Sequence, residues 1–362
     1  ILFSSGTTGD PKALPWTHIH PIKCGSDAHY HQDVHPGDVI AWPTNLGWMM
    51  GPWLIYAAFL NRATMALYYG VPTQRGFGEF VRDAKVAMLG VIPSMVRTWR
   101  STGCMEGIDF SALRAFSATG ECSNAEDMHY LMALAGYRPV LEYCGGTELA
   151  GGYLLSTLVE PVAPATFNSA TLGTDLVILD EAGVACDSGE VFLVPPAIGM
   201  SSQVLNRDHH EIYFEGVATI QGVQLRRHGD RVERLSAGGY RVHGRVDDTM
   251  NLGGIKVSSA EIERVLNGMQ GVVETAAIAV GPPGGGPSLL VIYAVYDGDA
   301  EHRQEAMQQV VRDELNPLFK IHQVLAVEAL PRTASNKVMR RVLREMYLRD
   351  TEEEHEEQEK QE

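Results

Sequence analysis

A layered α/β chain in two domains is the fold class that the sequence predicts, and three observations predict it. Short apolar runs alternate with helical stretches through about residue 244, the mixture that packs into layers. After Arg245 a second set of strand-like and helical runs fills about 100 residues, enough for a small domain of its own. At 362 residues the chain can form two domains around a core that needs no metal or disulfide staple.

In the first region, "VAMLGVIP" (86–93) and "VFLV" (191–194) read as strands. Ser123 and Glu126 have the S-x-x-E form of a capping box and predict a helix through "AEDMHYLMALAG". The most apolar run, "LGWMMGPWLIYAAFL" (46–60), is too short to span a bilayer and is interrupted by Gly51-Pro52, so it is expected in the core. In the second region Ser258 and Glu261 form another capping box before "AEIERVL". Strand-like "TAAIAV", the loop "GPPGGGP", strand-like "LLVIYAVY", helical "EAMQQVVRDEL", strand-like "VLAVEAL" and a last helix from about Val338 follow. That reading gives three strands and three helices. No internal repeat is visible. The boundaries predicted are 1–244, 245–349 and an acidic disordered tail at 350–362.

Composition excludes some partners. Of the net charge of −16, the segment "DTEEEHEEQEKQE" contributes −7, leaving a mild −9 elsewhere. A nucleic-acid partner would want a basic face, so none is expected. Cys24, Cys104, Cys122, Cys144 and Cys186 lie far apart with no CxxC pair, which favours free thiols and a reducing compartment. No membrane span is predicted. The chain opens on Ile1 and strand-like "ILF" with no signal peptide, so a missing N-terminal part is expected.

Residues 4–12, "SSGTTGDPK", place hydroxyls among glycines and end on a lysine. Gly6 and Gly9 permit close approach of a ligand, and Ser4, Ser5, Thr7, Thr8 and Lys12 could hold phosphate oxygens in a nest of donors. It is not a Walker A loop, since no G-K-[ST] occurs. On this segment alone a plain polar turn stands equally well. Downstream, "EYCGGTELAGGY" (142–153) sets Thr147 beside Glu148 in a glycine-rich loop. The threonine could bond a phosphate oxygen and the carboxylate could hold Mg²⁺, which prefers oxygen ligands shared with phosphates. "RHGDRVERLSAGGYRVHGRVDD" (227–248) offers Asp230 to a ribose diol and Arg245 as a permanent cation. "LPRTASNKVMRR" (330–341) is a second hydroxyl–lysine loop.

In order and spacing these motifs resemble the AMP-forming acyl-CoA synthetases, the adenylate-forming or acyl-activating enzymes. "FSSGTTGDPKAL" is similar to the family's phosphate loop, "YCGGTE" to Y-G-x-T-E and "HGD" to T-G-D. "GRVDDTMNLGGIKVSSAEIE" resembles G-R-x-D-D…E-I-E, and "LPRTASNK" resembles L-P-K-T-x-S-G-K. "NLGWMMGPWLIYAAFLNRAT" and "TASNK" look most like plant and algal acyl-activating enzymes near the acetyl-CoA synthetase branch.

The resemblance implies the adenylate-forming fold, with a large layered α/β domain, incomplete here, and a small mobile α/β domain. It implies ATP, Mg²⁺ and coenzyme A, with a small carboxylic acid as the other substrate. Residues 4–12 would close over the β- and γ-phosphates, and Gly120, Glu121 and Cys122 would lie against adenine. Cys144 and Gly146 would border the nucleotide, Thr147 would contact the α-phosphate and Glu148 would hold Mg²⁺. Asp230 and Arg245 would fix the ribose. Lys337 would be the catalytic cation of adenylation, carried in and out by the small domain. Asp247 would be the hinge, with Gly254 and Lys256 in the same hinge and coenzyme A region.

Three departures stand out. Asn336 replaces a glycine before the lysine, Lys256 stands where many relatives have arginine, and Gly145 stands where acetate-specific relatives place a pocket-closing tryptophan. The last implies an acyl tunnel open to acids longer than acetate. His18, His20, His29, His31 and His35 are too irregular to read as metal ligands, and His209-His210 is read the same way. Trp42, Trp48, Trp53 and Met49-Met50 are expected in the core, some of them lining the tunnel. Three rivals remain: an impaired nucleotide-binding fragment, an adenylation domain loading a carrier protein, and a kinase-type NTPase. Cytoplasmic and peroxisomal residence both stand, with no S-K-L-like end to the chain. Oligomeric state is not predicted.

Overall fold

The computed structural model describes residues 1–4, 11–252, 255–281, 288–297, 303–333 and 337–359, with only the backbone of residues 247, 249, 251, 255, 256 and 352–359. Its contacts divide the chain into two units, one running to Val242 and the other from His243. The boundary falls two residues before the expected one, within a strand.

The first unit opens on an antiparallel pair, β1 (Leu2–Ser4) and β2 (Lys12–Leu14), with Ser4 opposite Lys12. Then come α1 (Ile19–Tyr30), β3 (Val39–Ala41), α2 (Met50–Leu60), β4 (Thr64–Ala66), α3 (Arg75–Asp83), β5 (Met88–Val91), α4 (Pro93–Thr102), β6 (Ala115–Ala118), α5 (Ala125–Leu134), β7 (Val140–Gly146) and β8 (Gly151–Leu155). Strands β3 to β8 form one sheet of order β4-β3-β5-β6-β7-β8, parallel except for β8. Alternating side chains send neighbours to opposite faces. Met88 and Ile40 join the cluster with Trp53 and Ala57 of α2 and Cys24 of α1, whereas Leu89 and Ala41 join the cluster with Phe77 of α3, Trp99 of α4 and Leu131 of α5. The sheet is thus the middle of three layers. Gly90 lets the Trp42 indole lie against β5, because a Cβ there would meet the ring at 1.9 Å.

A second sheet follows, of order β14-β13-β10-β9, built from β9 (Asp175–Leu179), β10 (Ser188–Val194), β13 (Arg226–Arg234) and β14 (Tyr240–Arg245). Between its strands lie α6 (His209–Tyr213) and the short pair β11 (Thr219–Ile220) and β12 (Val223–Gln224). Leu176, Ile178, Val191, Leu193 and Val232 of this sheet share a core cluster with Leu149, Tyr153 and Leu154. That packing brings β13 against the end of β7.

The second unit holds a 3₁₀ turn at Val246–Asp248, β15 (Thr249–Leu252) and β16 (Ile255–Ser258), then α7 (Ser259–Leu266), β17 (Val272–Val280), β18 (Leu289–Tyr296), α8 (Arg303–Glu314), β19 (Ile321–Ala326) and α9 (Arg340–Glu359). Strands β17, β18 and β19 make one sheet, with α7 and α8 packed on one face and α9 on the other.

Four expectations are corrected. Glu126 is capped by Asn124, whose side chain accepts from the Glu126 N–H, because the Ser123 hydroxyl is drawn to the buried Glu142 carboxyl at 2.8 Å. The pair β15–β16 lies outside the predicted elements, although T-M-N-L and I-K-V-S alternate polar and apolar residues on either side of Gly253-Gly254, the pattern of a two-residue hairpin. Strand β19 ends at Ala326, earlier than "VLAVEAL" suggested. The acidic segment continues α9 as far as Glu359, in line with the high helix propensity of glutamate and glutamine. By contrast, Ser258 and Glu261 do form a reciprocal capping box.

Candidate active site

Parallel α/β sheets gather ligands beyond the carboxyl ends of their strands. Here β6 ends into Gly120–Cys122 and β7 into the turn Thr147–Ala150. The turn is held by donors from three distant segments. Trp16 Nε1 donates to the Thr147 carbonyl at 2.9 Å, the Ser201 N–H to that of Glu148 at 2.7 Å, and Cys24 Sγ to that of Ala150 at 3.1 Å. Beneath it, the Gly152 N–H donates to Asp27, whose other oxygen accepts from Lys23 at 2.7 Å. This ion pair is buried. Burial pushes the Asp27 carboxyl up to about 6 even though Lys23 and the Gly152 N–H pull it down.

Strand β13 faces the turn with alternate residues. Arg226, His228 and Asp230 are buried and Arg227 is exposed, as a period of two requires. His228 stands between two carboxylates, Nδ1 being 3.9 Å from Glu148 and Nε2 3.3 Å from Asp230. Burial favours a neutral Glu148, but Lys12, His228 and Arg226 outweigh it and draw its carboxyl down to about 2. Glu148 is therefore ionised, as a Mg²⁺ ligand must be. One such oxygen donor suffices for a cation that keeps waters and shares phosphate oxygens, so the residues fit the ion. Among the described residues no group of three or more His, Cys, Asp or Glu could hold a metal on its own.

Asp230 Oδ2 accepts from the Tyr153 hydroxyl at 2.9 Å and faces Cys144 Sγ at 3.4 Å. Burial and the Asp230 charge push both the Tyr153 and Cys144 protons well up. Lys12 Nζ donates to the Tyr213 hydroxyl at 3.2 Å. Ser4 sits opposite Lys12 across the first strand pair, while Ser5, Gly6, Thr7, Thr8 and Gly9 lie outside the described residues.

Glu121 turns its carboxylate to the first turn of α4, accepting from the Ser94 N–H at 2.9 Å and the Ser94 hydroxyl at 3.1 Å. Gly120 adopts φ +95° and the Cys122 thiol is exposed. Gly145 has a backbone reason to be glycine: a Cβ would meet the Gly151 carbonyl oxygen at 2.0 Å. Its missing side chain is therefore not by itself a measure of tunnel width. At Gly146 a Cβ would meet the Glu148 carboxylate at 2.7 Å.

In the second unit Lys337 is exposed and closes a tight backbone pair with Thr333: its carbonyl accepts from the Thr333 N–H at 2.8 Å and its N–H donates to the Thr333 hydroxyl at 3.1 Å. Asn336 lies outside the described residues, as does Gly254. Lys256 pairs with Asn251 in the β15–β16 register, and Asp247 is central in the 3₁₀ turn. That turn is fastened by Arg340, which donates to Asp248 at 3.1 Å and to Glu263 at 2.7 Å. Arg245 ends β14.

The structure brings together Lys12, Cys144, Thr147, Glu148 and Asp230 in the first unit. Sequence reading missed His228, Arg226, Tyr213, Trp16 and the Lys23–Asp27 pair. The x-Arg-x-His-x-Asp alternation ahead of and within "HGD" was the available signal for the first two. Trp16 and Tyr213 act across long separations, 131 residues for Trp16 and Thr147 and 201 for Tyr213 and Lys12, whereas Lys23 and Asp27 are a local i,i+4 pair.

This arrangement is that of the adenylate-forming enzyme fold, and the chain belongs to the AMP-binding enzyme family. The family's model matches residues 1–197, and that of the AMP-binding enzyme C-terminal domain matches residues 261–337. The chain is 53% identical over 357 residues to "Probable acyl-activating enzyme 17, peroxisomal" of Arabidopsis thaliana, covering 95% of this chain and 50% of that protein. It is 50% identical over 359 residues to hexanoyl-CoA synthase of Cannabis sativa, covering 96% and 50%. Among solved structures, acetoacetyl-CoA synthetase from Streptomyces lividans matches with a TM-score of 0.81 at 25% identity, covering 93% of this chain and 53% of that one. The chain spans about half the length of the curated relatives it matches.

Proposed function

We propose that the chain carries the nucleotide-handling machinery of an AMP-forming carboxylic acid–CoA ligase. The observation that supports this best is the buried Glu148 carboxylate beside Thr147, with His228 standing between it and the Asp230 carboxylate. In this reading the substrate carboxylate attacks the α-phosphorus of ATP, the bond to the bridging oxygen breaks, and pyrophosphate leaves with that electron pair. The acyl-adenylate then loses AMP to the thiol of coenzyme A. Bound at Glu148, Mg²⁺ would neutralise phosphate charge. Thr147 would donate its hydroxyl to an α-phosphate oxygen, Asp230 would accept from the ribose, and Lys12 would face the terminal phosphates. Arg245 would join Asp230 at the ribose, Gly120–Cys122 would border the base by their backbone, and Asp247 would serve as hinge. Lys337 of the second unit would stabilise charge developing on the α-phosphoryl oxygens.

Acids longer than acetate are the proposed substrate class, supported by the 50% identity to hexanoyl-CoA synthase. Peroxisomal residence is the matching proposal for location, since a relative at 53% identity is named peroxisomal. Among the described residues no helix is long and apolar enough to cross a membrane. The test is acid-dependent pyrophosphate release across chain lengths from acetate to octanoate, with AMP as the other product. Lys337→Ala is expected to abolish adenylation while largely sparing thioester formation from supplied acyl-adenylate. ADP as product, adenylation surviving in K337A, or acetate preferred over longer acids would each overturn the corresponding part.

A further inference from the structure

Strand β13 carries one group that the adenylation scheme above leaves idle. Arg226 is 0% exposed, and its Nη2 donates to Ser201 Oγ at 2.9 Å. Its Nε and Nη1 have no hydrogen-bond partner among the described residues. Glu148 acts on it as a charge, without a direct ion pair among the described residues. A guanidinium keeps its proton in a protein, so a buried one with two of its nitrogens lacking acceptors is costly to the fold.

The surroundings indicate what would complete it. Arg226 Cζ lies 3.9 Å from the centre of the Tyr213 ring, and the Lys12 ammonium lies 5.0 Å from the same centre while donating to the hydroxyl. One tyrosine thus carries two cations, one on its face and one at its oxygen. Stacking covers a face of the guanidinium and leaves the in-plane N–H edges for oxygen acceptors. Ser201, which accepts from Arg226, also donates its backbone N–H to the Glu148 carbonyl, so the arginine is one residue removed from the Thr147–Glu148 turn. The buried face of β13 is therefore polarised, cationic at Arg226 and acidic at Asp230.

We propose that Arg226 and Lys12, organised by Tyr213, form a two-cation clamp for a diphosphate: the terminal two phosphates of ATP, and pyrophosphate as it departs. When the bond from the α-phosphorus breaks, its electron pair passes to the bridging oxygen, and the clamp holds the group that receives this charge. The assignment rests on the adenylation reading, and goes beyond it by giving this residue a ligand.

Calorimetric titration of the chain with inorganic pyrophosphate, Mg-ATP and AMP tests it. Arg226→Gln is expected to weaken pyrophosphate and Mg-ATP by roughly 10- to 100-fold, the span of a lost charge-assisted contact, and to leave AMP within about twofold. Equal losses for AMP and ATP would mean a distorted site and overturn the clamp, as would unchanged pyrophosphate and ATP affinities. Should R226Q melt below the assay temperature, Arg226→Lys carries the test: it keeps the charge but lacks the Nε and Nη1 donors. Wild-type pyrophosphate affinity in R226K would overturn the proposal, and a loss confined to pyrophosphate and ATP would support it. Wild-type protein that binds pyrophosphate but neither nucleotide would sink the adenylation reading, while pyrophosphate loss in R226Q would still support the clamp.

Discussion

Gly145→Ala separates two reasons for a glycine at the end of β7. The added Cβ would lie 2.0 Å from the Gly151 carbonyl oxygen and 2.7 Å from both the Gly151 carbonyl carbon and Gly152 Cα. Real Cβ contacts essentially never fall below 3.0 Å, so the β7–β8 pair must open by about 1 Å at the point where it enters the Thr147 turn. Every clashing atom is backbone, and no side-chain rotation relieves it. Overpacking of this kind costs about 1–3 kcal/mol. All five tryptophans precede Val242, so urea unfolding followed by tryptophan fluorescence reports on the first unit. With a urea dependence of about 3 kcal/mol per M, the midpoint falls by roughly 0.3–1 M. A G145A midpoint within about 0.1 M of wild type would refute the close-approach reasoning. Gly145 would then return to the reading in which its missing side chain leaves room for a longer acid.

Three further outcomes are expected. Lys23→Met strands the buried Asp27 carboxylate and should destabilise the first unit by about 3–5 kcal/mol at pH 8. Asp27 is already raised to about 6 by burial despite Lys23, and a raised acid gives stability that is lost as pH rises, so the K23M deficit should shrink at pH 5; equal deficits at both pH values would count against the pair. Glu142 is pushed up from 4.5 to about 8 by burial, against the Ser123 hydroxyl, so wild-type stability should decline through that window. Glu142→Gln, neutral throughout, should gain on wild type between pH 4.5 and 8 and hold the gain above, whereas a constant difference in urea unfolding would refute it. Glu148→Gln keeps the shape of the side chain but removes the charge, and should raise the Mg²⁺ concentration needed for acid-dependent pyrophosphate release; an unchanged Mg²⁺ dependence would end its assignment as a metal ligand.

Local chemistry was legible in the sequence and long-range chemistry was not. The Ser258–Glu261 box needs only its own four residues, and it formed as read. Ser123 carried the same signature, yet its hydroxyl answered to Glu142 on β7, because a buried carboxyl competes for a donor more strongly than an exposed helix end. Thr147, Glu148 and Asp230 could be singled out because a motif of contiguous residues names them. His228 sits inside such a motif, and its place between two carboxylates follows from strand alternation once β13 is known to face β7. Trp16 and Tyr213 have no local mark at all, since what they do depends on which segments the packing brings beside the turn; Lys23 and Asp27 are spaced as an i,i+4 pair, but nothing local shows that the pair is buried beneath it.

That packing also decides how the site should respond to damage. Trp16, Cys24 and Ser201 grip one short turn, and Asp27 the start of β8 just after it, from the segment before α1, from α1 itself and from the loop before α6. A neutral hydrogen bond among these is worth about 1 kcal/mol, so losing Trp16 Nε1 or Cys24 Sγ alone leaves the turn fixed by the others. The Lys23–Asp27 pair differs, because removing either partner leaves a charge in the interior instead of a vacant acceptor. Fold stability here therefore depends on a pair that touches neither Thr147 nor Glu148 by side chain. The charge on the Glu148 carboxylate depends instead on Lys12, Arg226 and His228. Backbone support and carboxylate electrostatics are carried by different residues, so substitutions in the first group should lower stability before activity, and those in the second the reverse.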